Sequence, residues 1–338
     1  MFYRVKQLFH YILHRCIGDW NYFLYDQHKK EIMLIDKYYQ KNTTCNNSQP
    51  LVIYMANGFT DHAGLCDRLK GMTSIYGWCK KNDVDFRIYH TSPFELSEYL
   101  VPNTYNWLIE KDDICYNKRW SSVHHAMLNH LVFDQINSGE IVSLQAKWLD
   151  KRLCNHKKQH HIYTNFYPVN DAAFSSCFLE LFKPSPRLEQ LIQYQANNLG
   201  NRYISISFRF MQLLGDFMDC DGETLSSEEQ KELINRSLAV IEHIKSKHPH
   251  IKRVLVTADS PTFLHKAKQL PYVYVIEGKT GHIKFNNSDE VNIKTFLDFF
   301  MIAHASKVYL AKSEKMYKSD FARRASMIYG KEFELVQF

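Results

Sequence analysis

In the stretch Tyr203 to Asp216, YISISFRFMQLLGD, an apolar strand runs into a single arginine, Arg209, and then into a Gly-Asp pair. A guanidinium at the carboxyl end of a strand is suited to an anion. Ligands of open α/β sheets collect at that edge, and arginine's planar fork matches phosphate oxygens. The plainer alternative is an arginine paired with Asp216 or Asp219. Two more loops are expected to leave strand ends beside it, Asp259-Ser260 and Lys312 to Ser319, adding carboxylate and hydroxyls near a helix N-terminus. Together these parts suit a nucleoside diphosphate: the arginine and the helix dipole take phosphate charge, while a carboxylate accepts from a base such as guanine.

The elements that must position these residues alternate in the second half of the chain. A strand at Tyr203 to Phe208 precedes a helix from about Ser227 to Lys247, opened by the capping box Ser226-x-x-Glu229. A strand at Arg253 to Thr257 leads to Ser260-Pro261, with proline at the first helical position, and a short helix through Leu270. A strand at Tyr272 to Ile276, a helix from about Val291 to Ala305, a strand at Val308 to Leu310 and a last helix from about Lys318 to Tyr329 complete the domain. Such alternation predicts a parallel, doubly wound sheet. There is no G-x-G-x-x-G and no Walker lysine, which argues against dinucleotide oxidoreductases and P-loop enzymes.

In the first half, the continuous apolar run Leu51 to Ala56 reads as a buried strand bounded by Asn57-Gly58. A helix from about Ala63 to Lys81 and a strand at Val84 to Tyr89 close a βαβ unit. The loop NGFTDHAG between strand and helix carries two glycines, Gly58 and Gly64, and could bring backbone close to a ligand. Ser121 to Asn137 reads as helical. The histidines His124, His125, His130, His156, His160 and His161 include an i, i+4 pair. A metal site would need a third ligand and a shaped pocket, so solvated or hydrogen-bonded histidines are expected instead. The segment KPSP, Lys183 to Pro186, marks a boundary between residues 1–185 and 186–338. The fold class that follows is α/β, two Rossmann-like domains facing across a cleft, the GT-B arrangement of sugar-nucleotide transferases.

At 338 residues and 45% hydrophobic content the chain can bury two such cores. The formal charge of +6 is diffuse, with no Lys/Arg run of the kind that binds nucleic acid. Eight cysteines lie scattered without a C-x-x-C pair, so reduced thiols in a cytosol are expected, and neither a zinc ribbon nor a disulfide framework. The amino terminus is apolar in helical rhythm but broken by Arg4, Lys6, His10 and Arg15, which excludes a spanning helix. It reads either as a helix packed on its own domain or as an in-plane interfacial helix with Phe2, Phe9, Ile12 and Leu13 toward lipid.

Five segments, in order, resemble the α1,2-, α1,6- and O-fucosyltransferase superfamily. NGFTDHAGLCDRLKGM is similar to the family's G-G-x-G-[ND]-[RQ]-L turn, with Gly64, Asp67, Arg68 and Leu69 in place and Cys66 where glycine is usual. LFKPSPRLEQLI resembles the segment that precedes the signature strand. SISFRF resembles H-x-R-R, with Arg209 on the first arginine, Ser207 replacing the histidine and Phe210 the second arginine. VLVTADSPTFLHKAKQLPYVYVI resembles the A-T-D-D-P segment and puts Asp259 on its first aspartate. The final stretch resembles D-x-x-x-L-S followed by S-x-F-S-x-x-A, matching Asp298, Ser319, Phe321 and Ala325, with Ala322 replacing a serine.

The resemblance implies an inverting transferase of bacterial type that moves L-fucose from GDP-β-L-fucose to a sugar hydroxyl without a metal or other cofactor, at the cytoplasmic face of a membrane. It places Gly64, Arg68, Ser207, Arg209, Asp259, Ser313, Ser319 and Phe321 around the donor. Arg209 would meet the β-phosphate, Asp259 the guanine, and Ser313 or Ser319 a phosphate oxygen. For the general base the candidates are Asp216 and Asp219, just past the arginine strand, and His62 on the glycine loop. Two other readings stand beside it: a GT-B transferase with another nucleotide-sugar donor, and a non-catalytic protein that binds nucleotide or glycan.

Overall fold

The structure, a computed structural model, describes residues 2–41, 51–128, 138–154, 159–200, 202–216, 223–281 and 288–338, and of residues 2–11 and 138 the backbone alone. The first half runs α1 (Phe2–Tyr38), β1 (Leu51–Ala56), α2 (Leu65–Asn82), β2 (Phe86–His90), β3 (Leu100–Pro102), β4 (Ser121–Ala126), α3 (Ser138–Leu153), β5 (Gln159–Thr164) and α4 (Asp171–Leu181). The second runs β6 (Phe182–Pro184), α5 (Pro186–Leu199), β7 (Tyr203–Ser207), α6 (Ser227–Ser246), β8 (Arg253–Thr257), α7 (Pro261–Ala267), β9 (Val273–Tyr274), α8 (Asp289–His304), β10 (Lys307–Lys312), α9 (Phe321–Ile328) and β11 (Glu332–Gln337). They form two compact units, one of Met1–Pro93 with Pro102–Leu181, the other of Phe94–Val101 with Phe182–Phe338.

In the first unit four parallel strands lie in the order β2-β1-β5-β4. Every residue of β1 is buried, as a strand covered on both faces requires. The helix expected over Ser121 to Asn137 is a strand instead at 121–126, and 129–137 lie outside the described residues. Polar side chains hid it. Ser121, His124 and His125 of β4, and Gln159, His160 and His161 of β5, are all buried, so neither strand shows the apolar run by which β1 is recognised.

Those polar groups are hydrogen-bonded to one another or to neighbouring segments. His124 Nε2 and His160 Nδ1 share a hydrogen bond of 2.9 Å. His125 donates from Nδ1 to Gln27 Oε1 at 2.6 Å and accepts at Nε2 from Thr60 Oγ1 at 3.0 Å. His161 donates from Nε2 to Gln159 Oε1 at 2.7 Å and accepts at Nδ1 from the Tyr39 hydroxyl at 2.6 Å. One donor and one acceptor per ring is the pattern of neutral imidazole. Burial is the chief cause that pushes His125 and His161 down to about 3, and it holds His124 well below the ordinary histidine value. These are hydrogen-bonded histidines; His130 and His156 lie outside the described residues. Among the described residues no three His, Cys, Asp or Glu side chains gather to hold a metal.

The second unit holds five parallel strands in the order β11-β10-β7-β8-β9. The capping box at Ser226 and Glu229 and the proline after Ser260 open α6 and α7 as the sequence predicts. β9 shrinks to two residues, and β11, which the sequence reading lacks, pairs with β10 at the opposite edge. The excursion Phe94–Val101 belongs here because Tyr99 stacks on Phe296 with ring centres 4.9 Å apart and donates to Asp289 Oδ1 at 2.9 Å. Phe94 meets the edge of the same ring.

Among the described cysteines, Cys16, Cys66, Cys79, Cys154 and Cys177 form no disulfide, but Cys115 is disulfide-bonded. Cys115 thus departs from the expectation of reduced thiols throughout. Among the described residues no helix is long and apolar enough to cross a membrane. Ile12 on α1 is exposed and Leu13 half-buried, while the side chains of Phe2 and Phe9 lie outside the described residues.

Two outcomes follow for the first unit. A Cβ on Gly71 of α2 would overlap the Thr164 carbonyl of β5, so Gly71→Ala must push helix from sheet and should cost about 1–3 kcal/mol in urea unfolding. An unchanged midpoint would contradict that contact. The buried histidines should make the fold acid-labile. Above pH 6.5 folded and unfolded rings are both neutral, but below it the unfolded chain binds protons that the folded one refuses. His125 and His161 should each remove about 2 kcal/mol between pH 7 and pH 5. A urea midpoint that stays flat across that range would refute it.

Candidate functional site

Three adjacent strands, β10, β7 and β8, bring the candidate residues of the second unit to one edge. Leu310 lies in register with Ser207, and Ser207 with Thr257, so Ser313, Arg209 and Asp259 sit two or three residues beyond a common line. The β7 and β8 ends are tied by a 2.8 Å hydrogen bond between the Ser207 and Thr257 hydroxyls and by Phe208 N–H donating to the Thr257 carbonyl at 2.9 Å.

Arg209 is 18% exposed, and its Nη1 lies 3.0 Å from Asp259 Oδ2. The plainer alternative, this arginine paired with a carboxylate, is present, with Asp259 on the neighbouring strand's loop as a partner. Asp259 Oδ1 also accepts from Phe210 N–H, and Oδ2 from Met211 N–H, both at 2.8 Å. Its carboxylate thus holds three consecutive residues. Burial lifts the Asp259 carboxyl above its ordinary value, and Arg209 and the two amides offset part of that. Phe210, where the resemblance expects a second arginine, is fully buried, with its ring 4.8 Å from Phe263 and 5.9 Å from Phe208.

Asp216 performs the reciprocal service. Its Oδ2 accepts from Ser260 Oγ and from Thr262 N–H, both at 2.8 Å, while Ser260 Oγ accepts from Phe263 N–H at 3.1 Å. It is therefore a cap on the start of α7, and its Oδ1 is buried with no partner among the described residues. Asp219 lies outside the described residues. Beyond β10, Ser313 is buried, and its hydroxyl has no partner among the described residues. Ser319 Oγ accepts from Phe321 N–H at 3.3 Å, and Phe321 packs edge-on against Phe299 of α8. Asp298, on α8, pairs with Lys294 inside the unit, and burial raises its carboxyl.

In the first unit Gly58 has φ 81° and faces Ser92, a conformation and a contact that favour glycine. Gly64 caps α2 with backbone alone. Arg68 is buried and braces this loop, donating from Nε to the Ala63 carbonyl at 2.9 Å, and from Nη1 to the Ser92 carbonyl and His90 Nε2, both at 3.1 Å. His62 is 5% exposed, between the rings of Tyr54 and Tyr163, and Nε2 has no partner among the described residues. Burial, then Arg68 and His90, hold its imidazole well below the usual value, so it stays in the proton-accepting form.

The structure thus brings Ser207, Arg209, Asp259 and Asp216 to the hydrogen-bonded segments that follow β7 and β8, and His62, Gly64 and Arg68 to the loop and first turn that follow β1. Sequence reasoning missed Ser260 as the bridge to Asp216, and His90 and Ser92 as partners of Arg68. The equal offset of Arg209 and Asp259 past two adjacent strands was the available signal for their pairing.

No protein-family model matches the chain, and no curated protein matches it by sequence. Solved structures match it in fold. NodZ α-1,6-fucosyltransferase soaked with GDP-fucose aligns at a TM-score of 0.52 and 13% identity, over 83% of this chain and 92% of that one. FUT1 of Arabidopsis thaliana with GDP aligns at 0.52 and 12%, over 92% and 74%. POFUT1 with GDP aligns at 0.51 and 9%, over 87% and 99%. The fold is therefore the α/β, GT-B type of these fucosyltransferases, and the resemblance read from the sequence holds at the level of fold.

The capping role of Asp216 has a measurable consequence. Asp216→Ala leaves the Thr262 amide and the Ser260 hydroxyl without their acceptor, and should lower stability by about 1–2 kcal/mol. Equilibrium unfolding in urea checks it, and a variant as stable as the parent would remove the cap from the account.

Proposed function

We propose that the chain is a glycosyltransferase that moves L-fucose from GDP-β-L-fucose to a hydroxyl of a glycan, with inversion. The observation that carries this reading is the guanidinium of Arg209, anchored at the carboxyl edge of a parallel sheet beside the end of β10 with its buried Ser313 hydroxyl. The shared fold adds to it, because the matching NodZ, FUT1 and POFUT1 structures contain GDP or GDP-fucose. In this reading the second unit is the nucleotide-sugar half and the first the acceptor half.

The acceptor oxygen bonds to the anomeric carbon from the face opposite the leaving group while the bond to the β-phosphate oxygen breaks. Negative charge grows on the departing GDP. Arg209 meets that charge as it forms, which favours the transition state over the bound donor. The acceptor's proton must leave with bond formation. Asp216, Asp219 and His62 remain the candidates for that base: Asp216 keeps Oδ1 unpartnered among the described residues while Oδ2 caps α7, and His62 keeps Nε2 unpartnered there.

One observation favours a second donor. Phe210 stands in the core where the resemblance expects another cation, leaving one fewer positive charge for a diphosphate. Competition among GDP, UDP and ADP in thermal shift separates the donors, since only a ligand of the folded state raises the midpoint.

Arg209→Ala should weaken GDP binding in calorimetry and lower transfer by about 10²–10³-fold. A variant that binds GDP and transfers sugar like the parent would end this reading of Arg209.

A further inference from the structure

We infer that Asp259 is a positioning residue that aims the Arg209 guanidinium, rather than a group that touches the donor itself; this rests on the reading of Arg209 given above. One carboxylate gathers the Arg209 side chain and the N–H groups of Phe210 and Met211, at 3.0, 2.8 and 2.8 Å. Met211 has φ 55°, so the chain turns through the left-handed region two residues after the arginine, and successive amides converge on one carboxylate. Such a turn is an anion nest. Here the anion is built into the protein.

The other side of the turn is equally restrained. Phe210 is buried between Phe208 and Phe263, so the residue after Arg209 cannot shift without opening the core. Ser207 is tied to Thr257 two residues before it. Arg209 therefore leaves a backbone fixed before and after, with one edge of its fork held by Asp259. A charge held in place in advance needs no reorganisation when the leaving group becomes negative. Both Asp259 oxygens are engaged by these three groups, which suits orientation of a neighbour.

The inference has a test that needs no nucleotide. Arginine modification by phenylglyoxal, mapped by mass spectrometry, should proceed several-fold faster at Arg209 in Asp259→Asn than in the parent. In GDP titrations and transfer assays the same variant should lose about tenfold or more. In an Arg209→Ala background, Asp259→Asn should change neither affinity nor turnover further. If Asp259→Asn does not fold, Asp259→Glu, which keeps the charge but moves it by one methylene, should show the same faster modification.

An unchanged modification rate at Arg209 would overturn the inference. So would a loss of turnover that persists in the Arg209→Ala background, which marks a general structural role, or tighter GDP binding in Asp259→Asn, which marks the carboxylate as a competitor for the nest. A parent protein that binds no GDP would defeat the donor assignment alone, because the modification rates would still decide whether Asp259 holds Arg209.

Discussion

A buried carboxylate that satisfies one guanidinium and two backbone amides is the interaction on which the order of the second unit's sheet edge depends. Taken from water alone, either charge would be costly; together they share the cost, and the amides supply what one arginine does not. Asp216 mirrors this from the opposite loop by capping α7. Each of the two loops thus contributes the acid that orders the other. A rigid edge results without help from a ligand.

The first unit solves a different problem. Its sheet interior is polar, with histidines, a serine and a glutamine inside two of its four strands. Rings such as His125 and His161, which donate once and accept once, fit such an interior only while they carry no charge. Arg68 belongs to the same style of construction. It is a buried cation spent on carbonyls and a histidine, and it holds the loop that carries Gly64 and His62.

Much of the second unit was legible because its strands are apolar and its helices begin with recognisable caps, as at Ser226 and Ser260. Arg209 stood out as a lone cation after YISISF, with a structural ion pair as the plainer alternative. The first unit was harder: SSVHHA and QHHIYT have the composition of surface segments, and only pairing across β4 and β5 makes them interior. β11 escaped notice because FELVQ, half-buried at a sheet edge, carries neither strict alternation nor a fully apolar run. The bond between Arg209 and Asp259 joins residues 50 positions apart, and no local rule reports it.

The excursion at Phe94–Val101 bears on how such a chain can be rearranged in evolution. Because Tyr99 covers Phe296 and bonds to Asp289, the second unit is encoded in two separate stretches of the gene. A crossover that exchanged only the downstream stretch with a distant relative would strip an aromatic lid from α8 and leave Asp289 with one partner fewer. An exchange that carries both stretches together keeps the contact of Tyr99 with Phe296 and Asp289.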